Sequence, residues 1–201
     1  MDSVISFKSK INFVKFSEFK EIIKDSPQFV AWGTEAPLYE NAPRFHTEEI
    51  RTCTAGGFHD LTKTREFHWL DDLTNFRMAK YYLPKMVQGF DLSETQALLV
   101  GSKTLRGRVY SKELFQQIKD FFVERFKNLT IFEEHSYKLG ETNLHFDLNT
   151  DTYTMCARNV EPDEHGVPVS IVTLEKLKKA YKNIQISPKD ELFINGKKVE
   201  L

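Results

Sequence analysis

Short runs of β-branched and aromatic residues, separated by turn residues, recur along most of the 201-residue chain and are typical of strands. They outnumber the helical segments, and the helices lie among them without a strict βαβ repeat, which predicts an α+β fold. The predicted strands are Ser3–Phe7, Ile11–Phe16, Gln28–Trp32, Phe45–Thr54, Thr64–Leu70, Gln96–Ser102, Leu129–His135, Thr142–Leu148, Asp151–Ala157 and two short ones within Glu191–Leu201. The predicted helices are Ser17–Lys24, Thr74–Val87 (kinked or divided at Pro84), Ser111–Phe126 and Thr173–Tyr181.

Length and composition are those of one globular domain spanning residues 1–201. Hydrophobic residues make up 40% of the chain and the formal net charge is -1, which argues against a general nucleic-acid or anionic-membrane binder. No apolar run is long enough to predict a signal peptide or a membrane span. The two cysteines form no Cys-x-x-Cys pair, so neither a metal site nor a cofactor is predicted. We therefore expect a cytoplasmic protein, or one exported without a cleaved signal peptide.

The residues best suited to chemistry lie between positions 47 and 71. If the two strands in this region pair as an antiparallel hairpin centred between Asp60 and Leu61, Cys53 lies directly opposite His68. Opposite residues share a face with Cβ atoms about 4.5–5.5 Å apart, close enough for an imidazole to accept the proton of a thiol. The opposing interpretation is that the cysteine is a small buried hydrophobic residue and the histidine an ordinary sheet residue.

This pattern resembles the chemoreceptor glutamine deamidase (CheD) family and the catalytic domain of cytotoxic necrotizing factor. In those proteins a nucleophilic cysteine on one strand is followed by a histidine on the next. Here His68 follows Cys53 by 15 residues and begins the sequence His-Trp-Leu, similar to the family's His-x-(Met/Leu). Thr47 stands six residues before Cys53, the position of the catalytic threonine in CheD proteins. The resemblance therefore implies a catalytic group of Cys53, His68 and Thr47.

The resemblance covers about residues 45–157, so residues 1–44 and 158–201 are predicted additions to the core. Downstream it continues through segments that resemble the family's helices, strands and closing hairpin: Ala79 to Tyr82, Ala97 to Ser102, Ser111 to Phe126, Leu129 to Glu134, Leu139-Gly140 and Leu144 to Met155. The departures are Arg51-Thr52 in place of Gly-Ser before the cysteine, Arg65-Glu66-Phe67 in place of glycines before the histidine, and Glu141 in place of a turn glycine. They fall around the expected substrate pocket.

By resemblance, the fold is a β-sandwich of mixed sheets flanked by helices, and the activity is deamidation of protein glutamine side chains by a cysteine nucleophile. The substrate and oxyanion region would include Thr54, Gly56 and Gly57, with the two glycines forming a bulge or opening the backbone beside the thiol. The implied partner is a protein substrate, either a chemoreceptor or a host signalling protein. The departures from the chemotaxis pattern favour a bacterial effector or toxin-like enzyme.

Two other function classes stay open. One is a non-catalytic protein-binding module that keeps the fold, in which the cysteine only packs. The other is metal-dependent hydrolysis, because His145 and Asp147 share a strand face, and His59 with Asp60, or His135, are candidate further ligands. No ligand spacing here is characteristic of a metal site.

Overall fold

Two mixed β-sheets packed face to face and covered by helices make up the described part of the chain. A computed structural model describes residues 8–27, 39–40, 43–60, 62–101, 110–134, 139–162, 164–165 and 168–201. Within them lie thirteen strands and four helices, which confirms the α+β sandwich predicted from the sequence. The predicted strands Ser3–Phe7 and Gln28–Trp32 lie outside the described residues.

The elements follow in chain order with short connections. The strands are β1 (Ser9–Phe13), β2 (Tyr39–Glu40), β3 (Arg44–Ile50), β4 (Thr54–His59), β5 (Thr64–Trp69), β6 (Gln96–Gly101), β7 (Asn128–Glu134), β8 (Leu139–Asp147), β9 (Thr152–Pro162), β10 (Pro168–Ser170), β11 (Tyr181–Gln185), β12 (Asp190–Ile194) and β13 (Lys197–Lys198). The helices are α1 (Phe16–Ile22), α2 (Leu73–Met86), α3 (Tyr110–Arg125) and α4 (Leu174–Ala180).

Sheet I has the strand order β13-β12-β1-β9-β8-β3, with β10 also paired to β9, and sheet II has the order β11-β7-β6-β4-β5-β2. The parallel pairs are β1 with β12, β1 with β9, and β6 with β7. Strand β1 therefore lies inside sheet I, and β11 forms an edge of sheet II. The segments on either side of residues 45–157 thus supply strands to both sheets.

Three apolar clusters hold the layers together, as alternation of side chains along each strand requires. The layer between the sheets is the largest and includes Ile11, Phe13, Phe45, Leu98, Phe132, Leu144, Phe146 and Met155. Helices α2 and α3 cover the outer face of sheet II through Phe58, Trp69, Leu83, Phe115 and Phe122. Helix α1 covers part of the outer face of sheet I through Val14, Phe19, Ile23 and Cys156. Among the described residues, no helix combines the length and the apolar character that crossing a membrane requires.

One predicted strand, Phe45–Thr54, is divided between the two sheets. Its first part is β3 of sheet I, and the chain resumes as β4 of sheet II after a break at residues 51–53. The pairing of β3 with β8 loses its regular register between Thr47 and Ile50, where Glu49 has φ 59°. This left-handed residue forms an irregularity in β3, after which Ile50 still pairs with Thr142 and the chain then leaves sheet I. The crossing carries Cys53 from one sheet toward the other.

Helix α2 is continuous although it contains a proline. Pro84 was predicted to kink or divide it, but the helix extends unbroken to Met86. The proline lies in the last turn, so its missing N–H removes one terminal hydrogen bond and leaves the earlier turns intact. At the other end the Asp72 carboxylate accepts a hydrogen bond from the N–H of Asn75 at 2.7 Å and caps the helix.

Candidate active site between the sheets

Thr47, Cys53 and His68 all face the layer between the two sheets. Thr47 on β3 lies opposite Leu144, and His68 on β5 lies opposite Ala55. Both of these partners belong to the inter-sheet core, as does Cys53, and directly opposite residues share a face. Cys53 keeps the largest exposed fraction, 7%, against 2% for Thr47 and for His68. Cys53 is therefore the most accessible residue of this group.

A hydrogen bond between the two sheets holds the His68 ring. Thr47 Oγ1 lies 2.6 Å from His68 Nδ1. Along one strand, the six residues from Thr47 to Cys53 would span about 20 Å. Because the chain changes sheets at residues 51–53, Thr47 instead faces the histidine from the opposite sheet. When Nδ1 carries the ring proton and donates it to Oγ1, the lone pair of Nε2 is available as a base; among the described residues Nε2 has no hydrogen-bond partner.

The turn that joins β4 to β5 is centred one residue later than predicted. The Asp60 carboxylate accepts hydrogen bonds from the backbone N–H groups of Thr62 at 2.8 Å and Lys63 at 3.0 Å. The N–H of Asp60 donates to the carbonyl oxygen of Lys63 at 3.1 Å. Because of this Asx turn, Asp60 and Lys63 belong to the turn and not to the strands, and His59 and Thr64 form the last pair of the hairpin.

The predicted direct opposition of Cys53 and His68 is therefore wrong by two positions. Ala55 lies opposite His68, and Cys53 precedes Ala55 by two residues, just outside β4, in the same inter-sheet core. The thiol is not a hydrogen-bond partner of His68 Nε2, which has none among the described residues. The hairpin thus keeps the two side chains in one layer without making them a directly opposed pair.

Gly56 and Gly57 lie within β4, and sheet packing explains why both lack a side chain. A Cβ at Gly56 would lie 2.1 Å from the carbonyl oxygen of Leu98, and one at Gly57 would lie 3.0 Å from Cγ of Glu66. The pairings of β4 with β5 and with β6 are regular, so the bulge predicted here is not present in the described strand. These glycines lie three and four residues beyond Cys53, along the strand and away from the thiol.

The end of β6 approaches the backbone that carries the thiol. Gly101 has φ 148°, and a Cβ there would lie 2.8 Å from the carbonyl oxygen of Cys53 and 3.1 Å from Cα of Thr54. Any other residue would force the two segments apart. Alternation along β4 sends the Thr54 side chain to the outer face of sheet II, so it is the backbone of Thr54 that adjoins the thiol.

Burial keeps the His68 ring uncharged near neutral pH. It lowers the pKa of His68 from 6.5 to about 4. A neutral imidazole accepts a thiol proton but offers no positive charge that would hold a resting thiolate. The pair is therefore suited to proton transfer during attack on a substrate, with thiol and imidazole both neutral beforehand.

Glu66 is a buried carboxyl group in the same layer, and the sequence identified it only as a departure from the family pattern. It lies two residues before His68 on β5, opposite Gly57, and is 2% exposed. Burial raises the pKa of Glu66 well above its ordinary value. The sequence signal for its position was the two-residue spacing of Thr64, Glu66 and His68, which places their side chains on one face of β5. Gly57 provides the space that this side chain fills.

Replacing Glu66 with glutamine should raise the free energy of unfolding more at pH 8 than at pH 5. In the unfolded chain the Glu66 carboxyl group ionises near pH 4.5, whereas in the folded protein it keeps its proton to a higher pH. Between these two pKa values the wild-type protein loses up to about 1.4 kcal/mol of stability per pH unit. Glutamine does not titrate, so the variant does not show this loss. Urea unfolding at both pH values measures the difference, with Glu175→Gln as an exposed control. An equal effect at both pH values would show that Glu66 is ionised in the folded protein.

His59 belongs to a separate hydrogen-bonded group in the same layer. Its Nε2 lies 2.8 Å from Asp151 Oδ1, and its Nδ1 lies 3.1 Å from the Tyr153 hydroxyl. Ser9 Oγ donates to the same Asp151 oxygen at 2.6 Å. Both ring nitrogens are therefore engaged within the protein.

The residues considered for metal-dependent hydrolysis do not come together. His59 is bonded as described, Asp147 forms an ion pair with Arg44 at 3.1 Å, and His145 lies on the outer face of sheet I. His135 lies outside the described residues. Within the described ranges, no group of three or more His, Cys, Asp or Glu side chains is placed to bind a metal ion.

Two of the departures from the family pattern contact each other. The Arg51 guanidinium group lies 3.4 Å from a Glu141 carboxylate oxygen, and Glu141 also pairs with Arg158. Arg51 is two residues before Cys53 on the segment that crosses between the sheets. The replacements at positions 51 and 141 therefore compensate each other's charge.

The second cysteine is a core residue. Cys156 is fully buried beneath α1, and burial raises the pKa of its thiol to about 11. A thiol in this environment is a poor nucleophile. It serves as an internal reference for the reactivity of Cys53.

No protein-family model matches the sequence, and no curated protein sequence matches it at a significant level.

Proposed function

We propose that the protein is a cysteine hydrolase that deamidates glutamine side chains of a protein substrate, on a sandwich of the CheD and necrotizing-factor type. Cys53 is the nucleophile, His68 the general base and acid, and Thr47 the residue that orients His68. The observation that carries the proposal is the 2.6 Å contact between Thr47 Oγ1 and His68 Nδ1. It leaves Nε2 unpartnered among the described residues, in the layer that holds Cys53.

In the first half of the reaction, the Cys53 thiol attacks the carboxamide carbon while its proton passes to His68 Nε2. A bond forms between sulfur and carbon, and the carbonyl electrons move to oxygen. Backbone N–H groups of the segment that carries Cys53 would hold this oxyanion. The imidazolium then gives its proton to the amide nitrogen, the carbon–nitrogen bond breaks, and ammonia leaves a thioester on Cys53.

In the second half, water hydrolyses the thioester. His68 takes a proton from water as the oxygen attacks the carbon, and it returns a proton to the departing thiolate. The product is a glutamate side chain, and the enzyme recovers its thiol and neutral imidazole. Thr47 keeps the ring orientation through both halves because its hydroxyl accepts from Nδ1–H in the neutral and the protonated ring.

The burial of the site favours a side-chain amide over a peptide bond. Cys53 is 7% exposed and His68 is 2% exposed, so a substrate must extend its reacting group into the protein. Glutamine carries its carboxamide at the end of two methylene groups, whereas a peptide bond lies within the main chain. A glutamine side chain therefore needs less room in this layer than a peptide bond does.

Ammonia release from a library of glutamine-containing peptides tests the activity, with asparagine-containing peptides of the same design alongside. We expect release from the glutamine library and a mass increase of about 1 Da in the products. Cys53→Ser should abolish both signals, and Cys156→Ser should leave them unchanged. Release by the Cys53→Ser protein at the wild-type rate would contradict the proposal.

Replacing Thr47 with valine should lower the deamidation rate about 10-fold. Valine keeps the shape of threonine but removes the hydroxyl, and loss of one orienting hydrogen bond costs about 1.4 kcal/mol. Thr47→Ser should retain most of the wild-type rate. Steady-state kinetics of the two variants provide the measurement; equal rates for valine and threonine would show that the hydroxyl does not orient the histidine.

A protein-binding module is the second candidate function, because Cys53 belongs to the inter-sheet core. On this account, Cys53→Ala would retain the full activity of the protein, and the native thiol would react no faster than the thiol of Cys156. The rates at which iodoacetamide labels Cys53 and Cys156 separate the two functions.

A further inference from the structure

An unexplained group of polar atoms lies on the outer face of sheet I, away from the proposed active site. His46 on β3 and His145 on β8 are directly opposite each other, and they are 6% and 4% exposed. Directly opposite residues have Cβ atoms about 4.5–5.5 Å apart on one face. The two imidazole rings therefore lie next to each other, and both are buried.

Three of the four ring nitrogens of this pair lack a hydrogen-bond partner among the described residues. Among the described residues, His145 Nδ1, His145 Nε2 and His46 Nδ1 are buried without a hydrogen bond, and so is Ser26 Oγ nearby. Buried side-chain nitrogens are normally satisfied, and each unsatisfied one costs about 1–3 kcal/mol. These three ring nitrogens are therefore available to bind a ligand.

We propose that His46 and His145 form a binding site for a divalent transition-metal ion, with the two imidazoles as protein ligands and water completing the coordination. Imidazole nitrogen is a preferred ligand of Zn²⁺, Cu²⁺ and Ni²⁺. Two histidines on adjacent strands present two such nitrogens on a rigid backbone. With only two side-chain ligands, the site is smaller than a group of three or more His, Cys, Asp or Glu side chains, and no such group is present among the described residues.

The two histidine rings lie near carboxylates that are themselves paired with basic side chains. Facing them, a Glu48 carboxylate oxygen lies 3.9 Å from His46 Nε2 and also pairs with Lys20 of α1. On the side of His145, Asp147 is neutralised by Arg44. Both carboxylates are therefore already neutralised, and the two imidazoles are the ligands of the proposed ion.

Zinc titration of the EDTA-treated full chain tests the site. Calorimetry should give one ion per chain, and saturating Zn²⁺ should raise the melting temperature, since a ligand that binds the folded state stabilises it. The titration is done on the wild-type protein and on Cys53→Ser, because a thiol and His68 are an alternative pair of zinc ligands. We expect equal binding by the two proteins.

His46→Gln and His145→Gln should each weaken zinc binding at least 10-fold and abolish the thermal shift. His165→Gln, a change at an exposed histidine, should bind like the wild type. Two results would overturn the proposal: no zinc binding by the wild-type protein, or unchanged binding by the His46 or His145 variant. Either variant alone is sufficient if the other does not fold. Activity is not part of the readout, so failure here is distinguishable from failure of the proposed deamidation.

Discussion

Replacing His68 with glutamine should lower kcat for ammonia release at least about 100-fold. Glutamine has a similar size and can still hydrogen-bond to Thr47, but it cannot take the thiol proton or return a proton to the leaving ammonia. A positioned general base and acid contributes about 10²–10⁴ to a rate. The measurement is steady-state kinetics on the best peptide of the glutamine library. A variant that keeps more than a tenth of the wild-type rate would show that His68 is not the acid–base group.

The pH dependence of stability provides the control for folding of this variant. In the unfolded chain His68 takes up a proton near pH 6.5, whereas in the folded protein it does so only near its pKa of about 4. The wild-type protein therefore loses stability as the pH falls from 6.5 toward 4, by up to about 1.4 kcal/mol per unit. The His68→Gln variant has no histidine to protonate at this position and so avoids this loss. Its stability relative to that of the wild-type protein should therefore be higher at pH 5 than at pH 7.5. Lost activity with this stability profile is a chemical effect and not unfolding.

Replacing Gly56 with alanine should destabilise the protein by about 3 kcal/mol or more, or prevent folding. The added Cβ would lie 2.1 Å from the carbonyl oxygen of Leu98 and 3.2 Å from Cα of Leu99. Both contacts are with backbone, so no side chain can turn away, and β4 would have to separate from β6. Forced overpacking in a core commonly costs 1–3 kcal/mol, and a clash with a fixed strand is at the upper end. Urea denaturation measures the change.

Gly196→Ala provides the matched control. No atom lies within 4 Å of the position that its Cβ would take, although the residue has φ 73°. The expected cost is about 1 kcal/mol, from the left-handed backbone alone. If both variants lost the same stability, the tight pairing of β4 with β6 would not be the cause.

The elements with a strong periodic pattern were predictable from the sequence. Helix α3 (Tyr110–Arg125) and strand β6 (Gln96–Gly101) lie within one residue of their predicted bounds, because one has a clear helical apolar face and the other is a continuous apolar run. Strand β11 was missed because Tyr181 follows the helical residue Ala180 directly, without the glycine or proline that usually marks a helix end.

The sequence selected the residues of the candidate site but could not give their geometry. Local spacing selected Cys53 and His68, whereas the side chain of Asp60 decided the turn and moved the register by two positions. The contact of Thr47 with His68 depends on the chain changing sheets, which is a long-range property that strand patterns do not encode. His46 and His145 are 99 residues apart in the sequence, so only the pairing of β3 with β8 shows that they are neighbours.

The most direct test of the central claim is the reactivity of Cys53 toward iodoacetamide between pH 5 and pH 9, followed by intact-protein mass spectrometry. The wild-type protein should show one fast site at Cys53, and the buried thiol of Cys156 should react slowly. His68→Gln should slow the fast site at least about 10-fold, and Thr47→Val should slow it less. Labelling of Cys53 as slow as that of Cys156, or unaffected by His68→Gln, would contradict the account and make Cys53 a packing residue.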